Sequence, residues 1–310
     1  MKKNNDNLEE SLVMLNQERS VNICLCLYNG ADFINQQLLS CLEEKNQLNL
    51  IIISDDGSSD SGLNIINEIF EKYDFDRFII ITGPKKGAKY NFLSSLRHCD
   101  ADFIFLADQD DVWHKDKINI FLDELSYDYD SNIPLLMFSD ATLIDENGNK
   151  IHESFFDYQG LTPNVMNDDS ILYKNCVQGA SCCINRALLN IIIDSLDYID
   201  IDNIYMHDWW IALLARYYGE YHFIDKPLID YRQHEKNQVG VFNKKFRFLY
   251  YITQFSLYFK NFKQAIRQVS ELERFTVNYQ NLTHNLLPPK SRKYGYISKI
   301  KRIVIKLLKL

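Results

Sequence analysis

Between residues 21 and 126 the chain alternates two hydrophobic rhythms. "VNICLCL" (21–27), "LNLIIISDD" (48–56), "RFIIIT" (77–82) and "DFIFLAD" (102–108) are nearly unbroken apolar runs that stop in polar residues. Runs of that kind predict strands covered on both faces. Between them, "DFINQQLLSCLEE" (32–44), "LNIINEIFEKY" (63–73), "KYNFLSSLRHC" (89–99) and "KDKINIFLDELS" (115–126) repeat their apolar positions at helical spacing. Strand–helix alternation predicts an α/β fold with a mostly parallel central sheet flanked by helices. Ligands of such sheets bind beyond the carboxyl ends of the strands. Each of the four strands ends there in a polar or glycine-rich loop: "YNG" (28–30), "DDGSSD" (55–60), "GPKKG" (83–87) and "DQDDVW" (108–113).

The rhythm loosens afterwards. "PLLMFSDATLIDENGNKI" (134–151) predicts a strand and a turn at "ENGN". Residues 152–175 predict an irregular loop. "QGASCCINRALLNIII" (178–193) reads as a strand running into a helix, "HDWWIALLARYYG" (207–219) as a helix, and "YHFIDKPLIDYRQH" (221–234) as two short strands. Beyond Val241 the chain is aromatic, basic and helical in pattern. Three regions result: an N-terminal extension (1–19), an α/β domain (20–240) and a basic helical region (241–310).

Composition narrows the class. The chain has 310 residues, 46% hydrophobic and 25% charged, which is ordinary for a globular protein. No apolar run reaches the roughly 18 residues of a membrane-spanning helix, and the first 20 residues lack the apolar core of a signal peptide. The seven cysteines show no CxxC spacing and several lie in strand-like runs, as reduced buried thiols of a cytoplasmic protein would. The net charge of −8 conceals a division. From Arg232 onward there are 17 Lys/Arg against 3 Asp/Glu; before it, 17 against 39.

Three stretches carry candidate chemistry. "ADQDDVW" places Asp108, Asp110 and Asp111 at a strand end. Like charges so close raise the cost of ionising one another, unless a cation sits among them. Hard divalent cations such as Mg²⁺ and Mn²⁺ favour such oxygen ligands and complete their shell with phosphates. A helix N-cap with acidic first-turn residues would account for one or two of the three. "SDDGSSD", with Asp55 and Asp56, reads equally as a turn or a site. "MHDWW" opens a helix with Asp208, either an N-cap or a base.

Taken together, "CLYNGADFINQQLLSCL", "IIISDDGSSD", "FIFLADQDDVW" and "MHDWW" resemble, in order and spacing, the inverting family-two glycosyltransferases over roughly residues 20–238. The form "ADQDDVW" is similar to rhamnosyltransferase-like members of the bacterial branch that builds cell-surface polysaccharide. The resemblance implies a GT-A fold and a nucleotide-sugar donor. It places Tyr28, Asn29 and Asp56 on the nucleotide with Asp55 beside it, Asp108 near the ribose or sugar, and Asp111 either assisting Asp110 or facing the sugar. It makes Asp110 the ligand of Mg²⁺ or Mn²⁺ and Asp208 the general base. In "DYRQHEKNQVG" it makes Arg232 a diphosphate contact and His234 a further metal ligand. The expected reaction moves a sugar, L-rhamnose from dTDP-L-rhamnose, onto a lipid-linked saccharide. A sugar-nucleotide nucleotidyltransferase is the enzyme alternative, but "YNGAD" lacks the Arg and Lys of its glycine-rich loop. A degenerate nucleotide-sugar-binding scaffold is the non-enzyme alternative, and the full set of acids speaks against it.

The last 15 residues, "YISKIKRIVIKLLKL", set Ile297, Ile300, Val304, Leu307 and Leu308 on one helical face and Lys299, Arg302, Lys306 and Lys309 on the other. A basic amphipathic helix of this kind predicts peripheral attachment at the inner face of the plasma membrane; packing on the body is the other reading. Nucleic acid is not expected as a partner, because the acidic body would repel it.

Overall fold

A computed structural model describes residues 19–125, 128–234 and 255–282, with side chains of the last span described from 260 to 279. The expected N-terminal extension apart from Arg19, the stretches 235–254 and 283–310, and with them the amphipathic segment 296–310, lie outside the described residues.

The alternation is realised as β1 (Val21–Leu27), α1 (Ile34–Leu42), β2 (Leu48–Asp55), α2 (Gly62–Lys72), β3 (Phe78–Thr82), α3 (Ala88–Ser95) and β4 (Phe103–Asp108). The four strands pair in parallel in the order β3-β2-β1-β4. β1 is wholly buried, because sheet neighbours flank it and helices cover its faces. β3 departs from the expected double burial. It is the sheet's edge, and Ile79 and Ile80 are 37% and 38% exposed.

The sheet continues with strands of both senses. β5 (Val112–Trp113) and α4 (Lys117–Asp123) follow the acidic loop, then β6 (Leu135–Ile144) and β7 (Lys150–His152) form a hairpin. β8 (Cys182–Asn185) runs into α6 (Arg186–Ser195), α7 spans His207–Tyr218, and β9 spans Glu220–Arg232. β8 lies antiparallel between β4 and β6, and β9 runs parallel to β6. The two strands expected over 221–234 are one strand of 13 residues. Its pairing with β6 shifts register around Asp140, opposite Pro227, which has no N–H for the ladder. The stretch 152–175 holds more structure than the expected loop: a short helix α5 (Phe155–Gln159) and two 3₁₀ turns. Ser154 caps α5 by accepting the Asp157 amide, and Asp140 accepts the Phe156 amide at 3.1 Å.

The last described element, α8 (Phe255–Leu282), packs beside the 3₁₀ turn Ile201–Asn203 that precedes α7. Gln268 accepts the Tyr205 amide at 2.8 Å, and Glu271 accepts the Asp200 amide at 3.0 Å and the Asn203 side chain at 2.7 Å. On its other side the same segment meets α3, where Lys89 Nζ donates to the Ile204 carbonyl at 2.6 Å and Tyr90 to Asp202 at 2.5 Å. All seven cysteines are free and buried. Among the described residues no helix is long and apolar enough to cross a membrane.

Candidate active site

The carboxyl ends of β1, β2 and β4 form one wall of a cavity of about 980 Å³. The first two loops interlock. Asn29, in left-handed backbone (φ 48°), receives the Ser59 amide on its side-chain oxygen at 2.8 Å, and its own amide donates to Ser58 Oγ at 2.9 Å. Tyr28 is left 58% exposed over the cavity, held from behind by Gln109. The Tyr28 amide donates to Gln109 Oε1 at 2.7 Å, and Gln109 Nε2 donates to the Tyr28 carbonyl at 3.0 Å. A Cβ on Gly30 would lie 2.4 Å from that Oε1, so only glycine allows the clasp.

Asp56 lines the cavity and is nearly buried. It accepts the amides of Lys85 and Gly87, each at 2.6 Å, and so ties the loop after β3 to the loop after β2. Lys85 (φ 59°) and Gly87 (φ 90°) both take the left-handed backbone that aims those amides inward. Asp55 belongs to the turn, accepting the Ser58 amide at 3.0 Å, and is not among the lining residues.

The three crowded acids occupy three environments. Asp108 lines the cavity half-buried; burial, then the charges of Asp110 and Asp208, push its carboxyl up to about 8. Asp110 lines it too, with Oδ2 2.7 Å from His234 Nε2, and the His234 ring stacks on Phe33 at 4.9 Å. Asp111 does not reach the cavity. It is fully buried, accepts the Arg232 amide at 3.1 Å, and is pushed well up by burial and by its two acidic neighbours. The expectation that Asp111 faces the sugar is therefore corrected: its place is behind the acidic loop.

Arg232 is corrected likewise. At 2% exposure it does not line this cavity. Its guanidinium donates to the carbonyls of Asp110 (2.8 Å) and Glu146 (3.1 Å) and to Gln36 (2.7 Å), and it lies over the Phe33 ring. It joins the acidic loop to the β6–β7 turn instead of meeting a diphosphate. Lys117, unremarked in the sequence, is also wholly buried. Its Nζ donates to the Ala180 carbonyl at 3.0 Å and sits 4.0 Å from the Trp113 ring centroid. Burial drives it down to about 8, against the attraction of Asp111 among others. A lysine at helical spacing looks like a solvent-facing residue, so only the acids in front of it hinted at a buried cation.

The opposite wall is made by the segment 155–179 and the start of α7. Asp208 lies in the first turn of α7, and Oδ1 accepts the Trp209 amide at 2.5 Å and Asn175 Nδ2 at 3.3 Å. The Gly179 amide also faces its carboxylate, yet burial prevails and pushes it up to about 7. Trp210 is core, its indole donating to Ser195 Oγ at 2.9 Å. Trp209 borders the cavity with its indole tied to the Ile171 carbonyl at 2.6 Å.

Asp110 and His234 could hold one divalent cation. Among the described residues no three His, Cys, Asp or Glu side chains form a complete metal cage. An incomplete set suits Mg²⁺ or Mn²⁺ that shares its shell with a diphosphate and water, so the donor atoms present fit. The chemistry this wall and its opposite could do together is transfer across the cavity, from a phosphate-bearing ligand to a nucleophile beside Asp208.

Known proteins bear on that geometry. dTDP-rhamnosyl transferase RfbG of Shigella flexneri is 32% identical over 230 residues, covering 70% of this chain and 73% of that protein. Among solved structures, S. aureus TarS 1-349 in complex with UDP-GlcNAc matches with a TM-score of 0.51 at 16% identity, over 70% of this chain and 60% of that one. Mannosyltransferase PcManGT from Pyrobaculum calidifontis, in complex with GDP-Man and Mn²⁺, matches with a TM-score of 0.50 at 14% identity, over 94% and 82%. These likenesses establish the GT-A fold. The family model for glycosyl transferase family 2 matches residues 22–191, from β1 through the acidic loop and into α6, and the chain belongs to that family.

Proposed function

We propose that the protein is an inverting, metal-dependent glycosyltransferase that moves L-rhamnose from dTDP-L-rhamnose to a lipid-linked saccharide in surface-polysaccharide biosynthesis. The observation that carries the reading is the shared cavity, with Asp110 and His234 on one wall and Asp208 on the other. The relationship to RfbG supports the sugar and the nucleotide.

In this reading Tyr28 stacks on the base, while Asn29 and Asp56 shape the nucleotide pocket. Asp108, kept protonated more than an ordinary aspartate, can donate a hydrogen bond to the ribose or sugar. Mg²⁺ or Mn²⁺ bound at Asp110 and His234 would neutralise charge growing on the diphosphate. An acceptor hydroxyl oxygen attacks the anomeric carbon from the Asp208 side. The bond from that carbon to the diphosphate oxygen breaks, and its electron pair leaves with the diphosphate. Asp208 takes the hydroxyl proton. One displacement inverts the anomeric centre.

A thermal-shift screen with Mn²⁺ and the dTDP, UDP and GDP sugars tests the donor. A bound ligand stabilises the folded state by mass action, so dTDP-L-rhamnose should give the largest shift. A larger shift with UDP-GlcNAc or GDP-mannose would reassign it.

The basic C-terminal sequence supports attachment at the inner membrane face. Each basic residue near an anionic leaflet contributes about 1 kcal/mol. Full-length protein should co-sediment with phosphatidylserine-containing vesicles, less so as salt rises, and deletion of residues 294–310 should abolish it. Equal sedimentation of both forms would remove the tail as anchor.

A further inference from the structure

We propose that His207 is a specificity-determining residue that hydrogen-bonds a hydroxyl of the donor's sugar, in the part of the cavity between α3 and Asp208. The inference rests on the glycosyltransferase reading above and extends it to the sugar itself.

His207 is the first residue of α7, lines the cavity and is 4% exposed. Its ring stacks on Phe92 of α3, with centroids 4.1 Å apart and planes 20° apart. Neither ring nitrogen has a hydrogen-bond partner among the described residues. A buried polar group left unmatched is costly, and native proteins rarely keep one without a use. The ring is also packed closely against Gly179. A Cβ on Gly179 would lie 2.7 Å from His207 Nε2, so any side chain there would force the stacked imidazole to move.

Placement says what the ring meets. Phe92 belongs to the helix that begins beside Gly87, whose amide holds Asp56 on the nucleotide wall. Asp208, the next residue in the chain, stands on the acceptor wall. With the nucleotide at Tyr28 and Asp56 and the diphosphate at Asp110, the transferred sugar fills the remaining span toward Asp208. His207 sits at that span. Burial holds the ring down to about 3, so it is neutral there. A neutral imidazole has one donor and one acceptor nitrogen, and a sugar hydroxyl can meet either. A phosphate oxygen only accepts and would use half of that capacity.

The test separates sugar from nucleotide. Binding of dTDP and dTDP-L-rhamnose, UDP and UDP-GlcNAc, and GDP and GDP-mannose is measured by calorimetry with Mn²⁺ for wild type, His207→Phe and His207→Leu. The pair that wild type binds identifies the donor, so failure of the rhamnose reading shows in wild type alone. For that pair, His207→Phe should bind the nucleoside diphosphate within about 2-fold of wild type and the nucleotide sugar about 10-fold more weakly, the loss of one hydrogen bond. His207→Leu decides by the same ratio if the phenyl ring does not fit beside Gly179. Unchanged sugar-nucleotide binding, or equal loss of both ligands, would overturn the proposal.

Discussion

One wall of the cavity is the ends of parallel strands, and the other is the irregular segment 155–179 and a helix start. On the strand wall the loops of neighbouring strands hold one another: the Asp56 carboxylate accepts the amides after β3, and the Tyr28 backbone pairs with the Gln109 side chain after β4. On the other wall Asp208 is held by its own helix, by Asn175 and by Gly179. The strand wall positions charge with backbone that the sheet has already ordered. The helix wall positions one desolvated carboxyl, and its environment sets how basic that carboxyl is. Fixed geometry suits a nucleotide; a tuned pKa suits a base.

Breaking the strand wall should have the largest effect. Asp110→Asn should abolish metal-supported turnover, a loss of about 10³-fold or more given the several kcal/mol a metal contributes. Circular dichroism should show the fold intact. Full wild-type activity in excess EDTA, with metal removal verified, would refute the metal reading.

Breaking the helix wall should leave donor binding alone. Asp208→Asn should bind donor normally and transfer sugar about 10²-fold more slowly. The wild-type rate should rise with pH through about 7, as Asp208 loses its proton, and then level off. Stability carries the opposite sign. A carboxyl whose folded pKa is raised favours folding below its unfolded pKa near 4, and that benefit is lost as pH climbs to about 7. Asp208→Asn should therefore be more stable than wild type at pH 8 and no more stable at pH 4. A flat pH–rate profile for the wild type would assign the base elsewhere.

The smallest change sharpens the contrast inside the helix wall. Gly179→Ala places a methyl against the His207 ring and should cost about 1–3 kcal/mol of stability by overpacking. Denaturant titration measures it, and a cost under 0.5 kcal/mol would show that the ring gives way freely.

The strand wall was legible because a parallel sheet converts sequence rhythm into position. Four apolar runs announced four carboxyl ends, and Asp56, Asp108 and Asp110 stand at them. The same rhythm could not separate Asp110 from Asp111, one residue on, because facing cavity or core depends on where β9 arrives. Arg232 was misread for a related reason. Its partners at Asp110, Glu146 and Gln36 are distant in sequence, and nothing local tells a guanidinium that ties loops from one that waits for phosphate. Over 152–175 the order comes from single caps such as Ser154, too sparse to show as periodicity.

The grip of α8 on the stretch before α7 has a consequence for how the molecule opens. Asp200 and Tyr205 give their amides to side chains about 60 to 70 residues further along, while Lys89 and Tyr90 hold the same stretch from the nucleotide side. Local unfolding proceeds in cooperative units, and here the unit includes α8. Amides of Asp200 and Tyr205 should exchange with solvent in step with the helix that caps them, and a chain cut at residue 240 would bare both. The helix α8 is thus part of the footing on which the segment leading into α7 rests.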